Sequence, residues 1–224
     1  MIATLFDVAP KARHPARYSD ELIPVLAQCL RGTTRILDPF GGTGKIFKLS
    51  FWLPGAQIEA LEIEPEWAAY DQRITVGNAL DLPWPNDYFD AICTSPTYAN
   101  RMADHHNARD ASMRNTYRHA LGRPLSPDNS GALQWGEKYR EFHRRAWAEA
   151  DRVLAPGGLF VLNISDHIRK GKRQPVSEWH VSTLLAMGYR LLERHDVKTR
   201  RNLHGANSEK RVESEWVLKL RKAA

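Results

Sequence analysis

Short apolar segments alternate along this chain with segments whose apolar residues recur at helical spacing, and that alternation limits the fold more than any other feature. Strands are predicted at 34–37, 57–63, 74–76, 90–94, 159–164, 188–195 and 212–220. Helices are predicted at 20–30, 44–52, 65–71, 137–154 and 177–187. Strands that alternate with helices form a parallel sheet covered on both faces, and the last two strands add an antiparallel edge.

The predicted fold class is therefore α/β, with a mostly parallel, doubly wound sheet and an antiparallel C-terminal edge strand. A chain of 224 residues, of which 42% are hydrophobic, suits a single domain spanning 1–224. Polar, basic and turn-forming residues interrupt the alternation at about 99–136. We interpret that stretch as a segment inserted into the domain.

The strand at 34–37 leads into a glycine-rich turn, Asp38-Pro39-Phe40-Gly41-Gly42-Thr43-Gly44. Glycines let a ligand approach the backbone closely, and Asp38 at the strand end can receive a cationic amine. A phosphate or a dinucleotide would use a similar turn. However, Lys45 is followed by Ile46 where a phosphate loop has serine or threonine, and the dinucleotide spacing does not fit.

Two further segments end at the same edge of the predicted sheet, where ligands of parallel sheets bind. Glu62 closes the second strand roughly twenty residues after the glycines, a position from which a carboxylate accepts hydrogen bonds from a ribose diol. The segment Thr94-Ser95-Pro96-Thr97-Tyr98 follows the apolar strand at 90–94. The turn, the carboxylate and this segment are therefore expected to lie close together.

In this order, the three segments resemble the cofactor loop and catalytic loop of S-adenosylmethionine-dependent DNA methyltransferases that methylate exocyclic amino groups. The resemblance implies a Rossmann-like methyltransferase fold, S-adenosylmethionine as the cofactor and DNA as the partner. It also implies that Ser95 and the carbonyl of Pro96 hold the hydrogens of the target amine, while Tyr98 stacks on a base rotated out of the helix. Serine at the first position favours cytosine N4 over adenine N6. Thr97 stands where the family has a second proline.

The same resemblance assigns ten residues to the cofactor. They are His14, Asp38, Phe40, Gly41, Gly42, Gly44, Glu62, Ile63, Asn78 and Ala79. His14 begins a His-Pro segment of the kind that, in this family, closes over the methionine end of the cofactor. By the same analogy, Ile63 packs against adenine and Asn78 accepts a hydrogen bond from the adenine amino group.

The charge of the chain favours a polyanionic partner, since the formal net charge is +6 and the pI is near 9.4. The segment at 99–136 combines cations with aromatic rings, which suits phosphate neutralisation and base stacking, and we interpret it as a target-recognition segment. The predicted nucleic-acid contacts are Arg101, His105, Arg109, Arg114, Arg118, Arg169 and Lys170. His105 has a histidine neighbour but no accompanying cysteines or well-spaced carboxylates, so no metal site is predicted.

Apolar runs, the N-terminal pattern and the cysteines indicate where in the cell the protein is expected. No apolar run is long enough to span a membrane, and 1–10 lacks the basic-then-apolar pattern of a secretory signal. We therefore expect a cytoplasmic protein with no membrane partner, from a bacterial, archaeal or phage-infected cell, as in restriction-modification systems. Cys29 and Cys93 lie in apolar surroundings and are expected to be buried thiols. A monomer and a homodimer both fit the sequence.

Three alternative functions fit the same residues. RNA methyltransferases that act on guanine N2 or adenine use a similar amino-gripping loop. A catalytically silent protein that binds the cofactor and nucleic acid is an alternative because of Thr97. A small-molecule methyltransferase is the third, and it predicts no salt-dependent binding to DNA.

Overall fold

The fold is described from a computed structural model, in residues 14–15, 19–99, 103, 116–199 and 212–224. The helices are α1 (Leu22–Cys29), α2 (Pro65–Ala68), α3 (Tyr117–Leu121), α4 (Glu137–Val153) and α5 (Val176–Ala186). The strands are β1 (Arg35–Asp38), β2 (Gln57–Glu62), β3 (Ile74–Val76), β4 (Phe89–Thr94), β5 (Leu154–Ile164), β6 (His167–Arg169), β7 (Lys172–Gln174), β8 (Arg190–Lys198) and β9 (Ser214–Arg221). Short 3-10 helices occur at Lys45–Phe51 and Ser130–Ala132.

Seven strands form one sheet in the order β3-β2-β1-β4-β5-β9-β8. Strands β1 to β5 pair in parallel, whereas β9 runs antiparallel to both β5 and β8. The predicted α/β class and the antiparallel pair at one edge are confirmed. Strand order reverses between β1 and β4, and the crevice beyond their carboxyl ends is the usual ligand site of such sheets.

The central strands β1 and β4 are largely buried because both of their faces are covered. Neighbouring residues point to opposite faces, so Leu37 joins one core cluster and Ile36 joins the other. Helices α4 and α5 cover the first face, with Trp147 completely buried. Helix α1 and the 3-10 helix Lys45–Phe51 cover the second face. Both layers together fix the strand ends that carry the site.

Three local features differ from the sequence prediction. The predicted helix at 44–52 is a 3-10 helix, with hydrogen bonds that span three residues from Gly44 to Phe47 and from Leu49 to Trp52. The basic stretch after β5 folds into the β6–β7 hairpin, whose turn is Lys170-Gly171 in left-handed conformation. Part of the 99–136 segment is also regular, since it contains α3 and the 3-10 helix Ser130–Ala132.

Both cysteines are buried, as predicted, and neither forms a disulfide. Within the described ranges, the helices are too short or too polar to cross a lipid bilayer.

Candidate active site

The glycine turn and the 94–98 loop meet at the carboxyl ends of β1 and β4, as the sequence predicted. Asp38 is completely buried at the end of β1. Its Oδ1 accepts hydrogen bonds from the hydroxyl of Thr94, at 2.7 Å, and from the backbone amide of Phe40, at 3.0 Å. One carboxylate therefore holds the first residues of both loops.

The glycines of the turn are needed by its own packing. A Cβ on Gly41 would lie 2.7 Å from the Cβ of Ala60 on β2. Gly44 has φ of +78°, and a Cβ there would lie 2.8 Å from the ring of Phe47. The turn consequently lies directly against β2, and the amide of Gly42 donates to Oε2 of Glu62 at 2.9 Å.

His14 lies over the turn. A Cβ on Gly42 would be 3.4 Å from Nε2 of His14. The imidazole packs edge-on against Trp67 of α2, with ring centroids 4.4 Å apart, and 5.8 Å from the ring of Tyr117. The structure thus places His14 beside the glycine turn.

Glu62 is a buried carboxylate held by backbone amides. It accepts hydrogen bonds from the amides of Gly42 and Glu64, each at 2.9 Å, and from that of Ile63. Burial raises the pKa of Glu62 to about 7, and the nearby charge of Glu64 adds to the effect, although the amide hydrogen bonds oppose it. A carboxylate offers about four acceptor positions, so a further donor from a ligand can bind here.

The residues predicted to contact adenine lie at the ends of β2 and β3. Ile63 is half-buried and Ala79 is buried. The Oδ1 of Asn78 accepts from the amide of Leu80 at 3.0 Å, and its Nδ2 donates to Asp128 at 2.9 Å. Asn78 is therefore oriented by contacts on both sides.

Glu64 is a central residue that the sequence prediction missed. It is completely buried, and four donors from one loop satisfy it. Arg123 donates at 2.7 Å, Ser126 donates through its amide and its hydroxyl, and Asn129 donates at 2.8 Å. Arg123 also pairs with Glu66 at 2.6 Å. This part of the 99–136 segment is thus held against the ends of β2 and β3, beside the predicted cofactor residues.

The 94–98 loop contains a connected group of polar side chains. The hydroxyls of Ser95 and Tyr98 lie 2.8 Å apart, and Tyr98 donates to Oε2 of Glu215 at 2.7 Å. The amide nitrogen of Asn163 lies 3.1 Å from Ser95, 3.0 Å from Tyr98 and 2.9 Å from Glu215. We call these four residues the acceptor cluster. Asn163 and Glu215, on β5 and β9, were not predicted as site residues.

Hydrogen bonds from Tyr139 of α4 and to Ser130 hold the middle of the 94–98 loop. Pro96 is buried. The carbonyl of Thr97 accepts a hydrogen bond from the hydroxyl of Tyr139 at 2.7 Å, and the hydroxyl of Thr97 donates to Ser130 at 3.0 Å. Tyr139 also lies 2.9 Å from Nε2 of the buried His180. The loop is therefore fixed by α4 and α5 as well as by β4.

The predicted nucleic-acid contacts divide into two groups. Arg118 is exposed on α3, and Lys170 is exposed at the tip of the β6–β7 hairpin. Arg169 is half-buried in that hairpin and donates to Gln134. The other predicted contacts lie outside the described residues: Arg101, His105, Arg109 and Arg114.

A separate group on the α1 face has metal-ligand chemistry. Ligand atoms of Cys29, Glu193 and His195 lie within 4.8 Å of one another. However, Glu193 accepts from the ammonium of Lys219 at 2.7 Å and pairs with His195 at 2.9 Å. The lysine occupies the cationic position beside this carboxylate, so the group is an ion-pair network.

Comparison with known proteins relates the chain to others at the level of fold. No protein-family model and no curated protein sequence matches it. Among solved structures, the cyclase SpnF superposes with a TM-score of 0.58 and 18% identity, covering 92% of this chain and 81% of SpnF. A SAM-dependent methyltransferase from Aquifex aeolicus superposes with a TM-score of 0.52 and 15% identity, covering 91% of this chain and 89% of that one. A SAM-dependent methyltransferase from Methanosarcina mazei superposes with a TM-score of 0.57 and 13% identity, covering 89% of this chain and 97% of that one. The chain thus has the Rossmann-like fold of these proteins.

Proposed function

We propose that this protein transfers a methyl group from S-adenosylmethionine to an exocyclic amino group of a DNA base, with cytosine N4 favoured over adenine N6. One observation carries the proposal. The hydrogen bond from Thr94 to Asp38 joins a glycine turn to a loop whose next residues offer hydrogen-bond acceptors. The same edge of the sheet thus combines a cofactor turn with groups that hold an amine.

The residues around the turn suit S-adenosylmethionine. Glu62 can accept hydrogen bonds from ribose hydroxyls. We assign His14, beside the glycine turn, to the methionine end of the cofactor and Asn78, just after β3, to the adenine end. Several superposed structures are named as SAM-dependent methyltransferases, which supports this cofactor. SpnF is named as a cyclase, so the fold alone does not determine the reaction. When bound, the cofactor supplies a methyl group on a positively charged sulfur.

The 94–98 loop suits an amine as the methyl acceptor. Methyl transfer to an exocyclic amine needs the nitrogen lone pair in line with the departing sulfur, and acceptors that grip the amine hydrogens set that orientation. The hydroxyl of Ser95 and the carbonyl of Pro96 are the acceptors we assign to this task. Tyr98 is half-buried, so its ring can also offer a surface for the base.

The charge of the protein supports a nucleic-acid substrate. The β6–β7 hairpin begins three residues after β5 ends at Ile164 and carries exposed Lys170 and Lys172 at its turn. Cations at such a position can neutralise phosphates on either side of a target base. Binding to DNA should therefore weaken steeply with salt.

The test is nucleoside mass spectrometry after incubation of the protein with methyl-labelled S-adenosylmethionine and mixed-sequence DNA, with RNA in parallel. We expect labelled N4-methylcytosine from DNA. The Ser95→Ala variant should lose the product, whereas Ser182→Ala, at an exposed serine of α5, should retain it. Label in N6-methyladenine would change the assigned base, and label in RNA alone would change the substrate. No label in either nucleic acid, despite calorimetric binding of S-adenosylhomocysteine, would refute the proposal.

A further inference from the structure

We infer that Glu215 makes the acceptor cluster selective for an amino group over a carbonyl oxygen, and so determines which bases can be methylated. This inference rests on the proposed function, because it concerns the group that receives the methyl. It follows from the direction of the hydrogen bonds among Ser95, Tyr98, Asn163 and Glu215.

The carboxylate fixes those directions. An ionised carboxylate only accepts hydrogen bonds, so the hydroxyl hydrogen of Tyr98 must be directed to Oε2 of Glu215, 2.7 Å away. Tyrosine has a single hydroxyl hydrogen, so in the 2.8 Å contact with Ser95 the tyrosine oxygen accepts and the serine donates. The hydrogen of Ser95 is thereby committed inside the protein. Toward a ligand, Ser95 can therefore act only as a hydrogen-bond acceptor, through the lone pairs of its oxygen.

The same argument orients Asn163. Its amide nitrogen, rather than its oxygen, must face Glu215 at 2.9 Å, and it lies within 3.1 Å of Ser95 and Tyr98. Asn163 is 1% exposed, so packing around β5 holds its position, and the acceptors around its nitrogen set its orientation. The two amide hydrogens of Asn163 are likewise used within the cluster.

Glu215 itself lies at the correct edge of the sheet. It is the second residue of β9, which runs antiparallel to β5, so the start of β9 lies beside the carboxyl end of β5. Glu215 is half-buried, and Thr199 at the end of β8 donates to its Oε1 at 3.3 Å. Donors on both oxygens therefore orient this half-buried carboxylate beside Ser95 and Tyr98.

An amine matches these acceptors, and a carbonyl does not. Cytosine and uracil differ at position 4 by an amino group in place of an oxygen, and adenine and hypoxanthine differ in the same way at position 6. A carbonyl oxygen directed at Ser95 and Glu215 would place acceptor against acceptor, so it would lose its hydrogen bonds to water and gain none from these two groups. A site built around hydrogen bonds rejects such a ligand much more strongly than one built around shape.

The carboxylate also has a role after methyl transfer. The amine nitrogen forms a bond to the methyl carbon as the bond between that carbon and sulfur breaks, which leaves S-adenosylhomocysteine and a positively charged, methylated nitrogen. That nitrogen loses one of its hydrogens as a proton to Glu215, directly or through Ser95 and Tyr98, and the carboxylate later releases the proton to solvent. No other reactant is required.

The experiment measures nucleoside binding by NMR titration of the full-length protein with S-adenosylhomocysteine present. The probes are two pairs, deoxycytidine with deoxyuridine and deoxyadenosine with deoxyinosine. We expect at least one amino nucleoside to bind about tenfold more tightly than its carbonyl partner. Glu215→Gln permits the hydrogen bonds of the cluster to reverse, because an amide also donates, so the preference should fall to below about twofold. Glu213→Gln, two residues away at an exposed position, should retain it.

The outcomes separate this inference from the proposed function. Equal affinities for both members of both pairs in the wild type would overturn the inference, and so would a preference that persists in Glu215→Gln. A preference that depends on Glu215, without methyl transfer to any nucleic acid, would support the inference and contradict the proposed activity. Methyl transfer that proceeds equally well in Glu215→Gln and Glu213→Gln would support the activity and overturn the role of Glu215. Thermal unfolding of both variants shows whether each is folded.

Discussion

Glu62 should make the stability of this protein fall as the pH rises through the weakly acidic range. In the folded protein its pKa is raised from 4.5 to about 7, mainly by burial. Between these values the folded state binds a proton that the unfolded state has lost, so unfolding becomes easier with increasing pH. The contribution changes by about 1.4 kcal/mol per pH unit, or about 3 kcal/mol over the whole interval.

The perturbation is Glu62→Gln, which removes the titration while keeping the size of the side chain. Urea unfolding, followed by the fluorescence of the seven tryptophans, gives the free energy of unfolding of both proteins from pH 4.5 to 8. Subtracting the free energy of unfolding of the variant from that of the wild type cancels the contributions of the other titrating groups. The wild type should lose about 3 kcal/mol relative to the variant as the pH rises, with most of the change complete by about pH 7.

A matched control is Glu66→Gln. The pKa of Glu66 is lowered because Arg123 donates to it, so its ionised form stabilises the fold. This contribution to the free energy of unfolding is present above the pKa of the unfolded state and is lost as the pH falls. The wild type should therefore gain stability relative to Glu66→Gln as the pH rises, which is the opposite of the result expected for Glu62→Gln. A difference for Glu62 that stays flat between pH 5 and 8, or that rises with pH, would refute the assignment of a protonated carboxyl at the end of β2.

Three further predictions follow from local geometry. Gly44→Ala should destabilise the fold by at least about 1 kcal/mol in urea unfolding, because φ is +78° and the methyl would meet Phe47; an unchanged midpoint would contradict this. Tyr139→Phe should cost about 1–3 kcal/mol and speed amide hydrogen exchange around Thr97, because one hydroxyl serves two buried hydrogen bonds; exchange at the wild-type rate would contradict it. Both cysteines should resist an aromatic disulfide reagent at pH 8 until urea is added, because burial raises the pKa of each thiol; rapid labelling of the native protein would contradict this.

The strands could be predicted because the apolar residues that indicate each strand are neighbours in sequence. The apolar cores of β1 and β4 are completely buried, so both strands agree with their predictions to within a residue. Strand β3, at the sheet edge, also agrees with its prediction, although only Ile74 of it is buried. The β6–β7 hairpin carries no such signal, since its residues are half-buried or exposed and mostly basic. Its turn nevertheless contains Gly171 with φ of +74°, and that glycine was the one available sign of a hairpin.

The site was predictable only where its residues are neighbours in sequence. The glycine turn and the 94–98 loop each form a short motif, and Glu62 could be placed from its distance to the glycines. Glu215 is 117 residues from Tyr98, and Arg123 is 59 residues from Glu64. Contacts of that kind depend on how segments distant in sequence pack together, so Glu64 and Glu215 became recognisable only in the folded structure.

Thr97 shows how the structure changes the meaning of a departure from a motif. A proline at this position would restrict the backbone by its ring. In this protein, a directed chain of hydrogen bonds that starts in the core restricts the backbone at Thr97 instead. The indole nitrogen of Trp147 can only donate, at 3.0 Å to Nδ1 of His180, so the imidazole hydrogen is on Nε2 and is directed to Tyr139. The hydroxyl of Tyr139 then donates to the carbonyl of Thr97. Burial holds the pKa of His180 well below its usual range, so the imidazole stays neutral and the chain keeps its direction. The loop is therefore held without a second proline, and Thr97 alone gives no reason to expect an inactive protein.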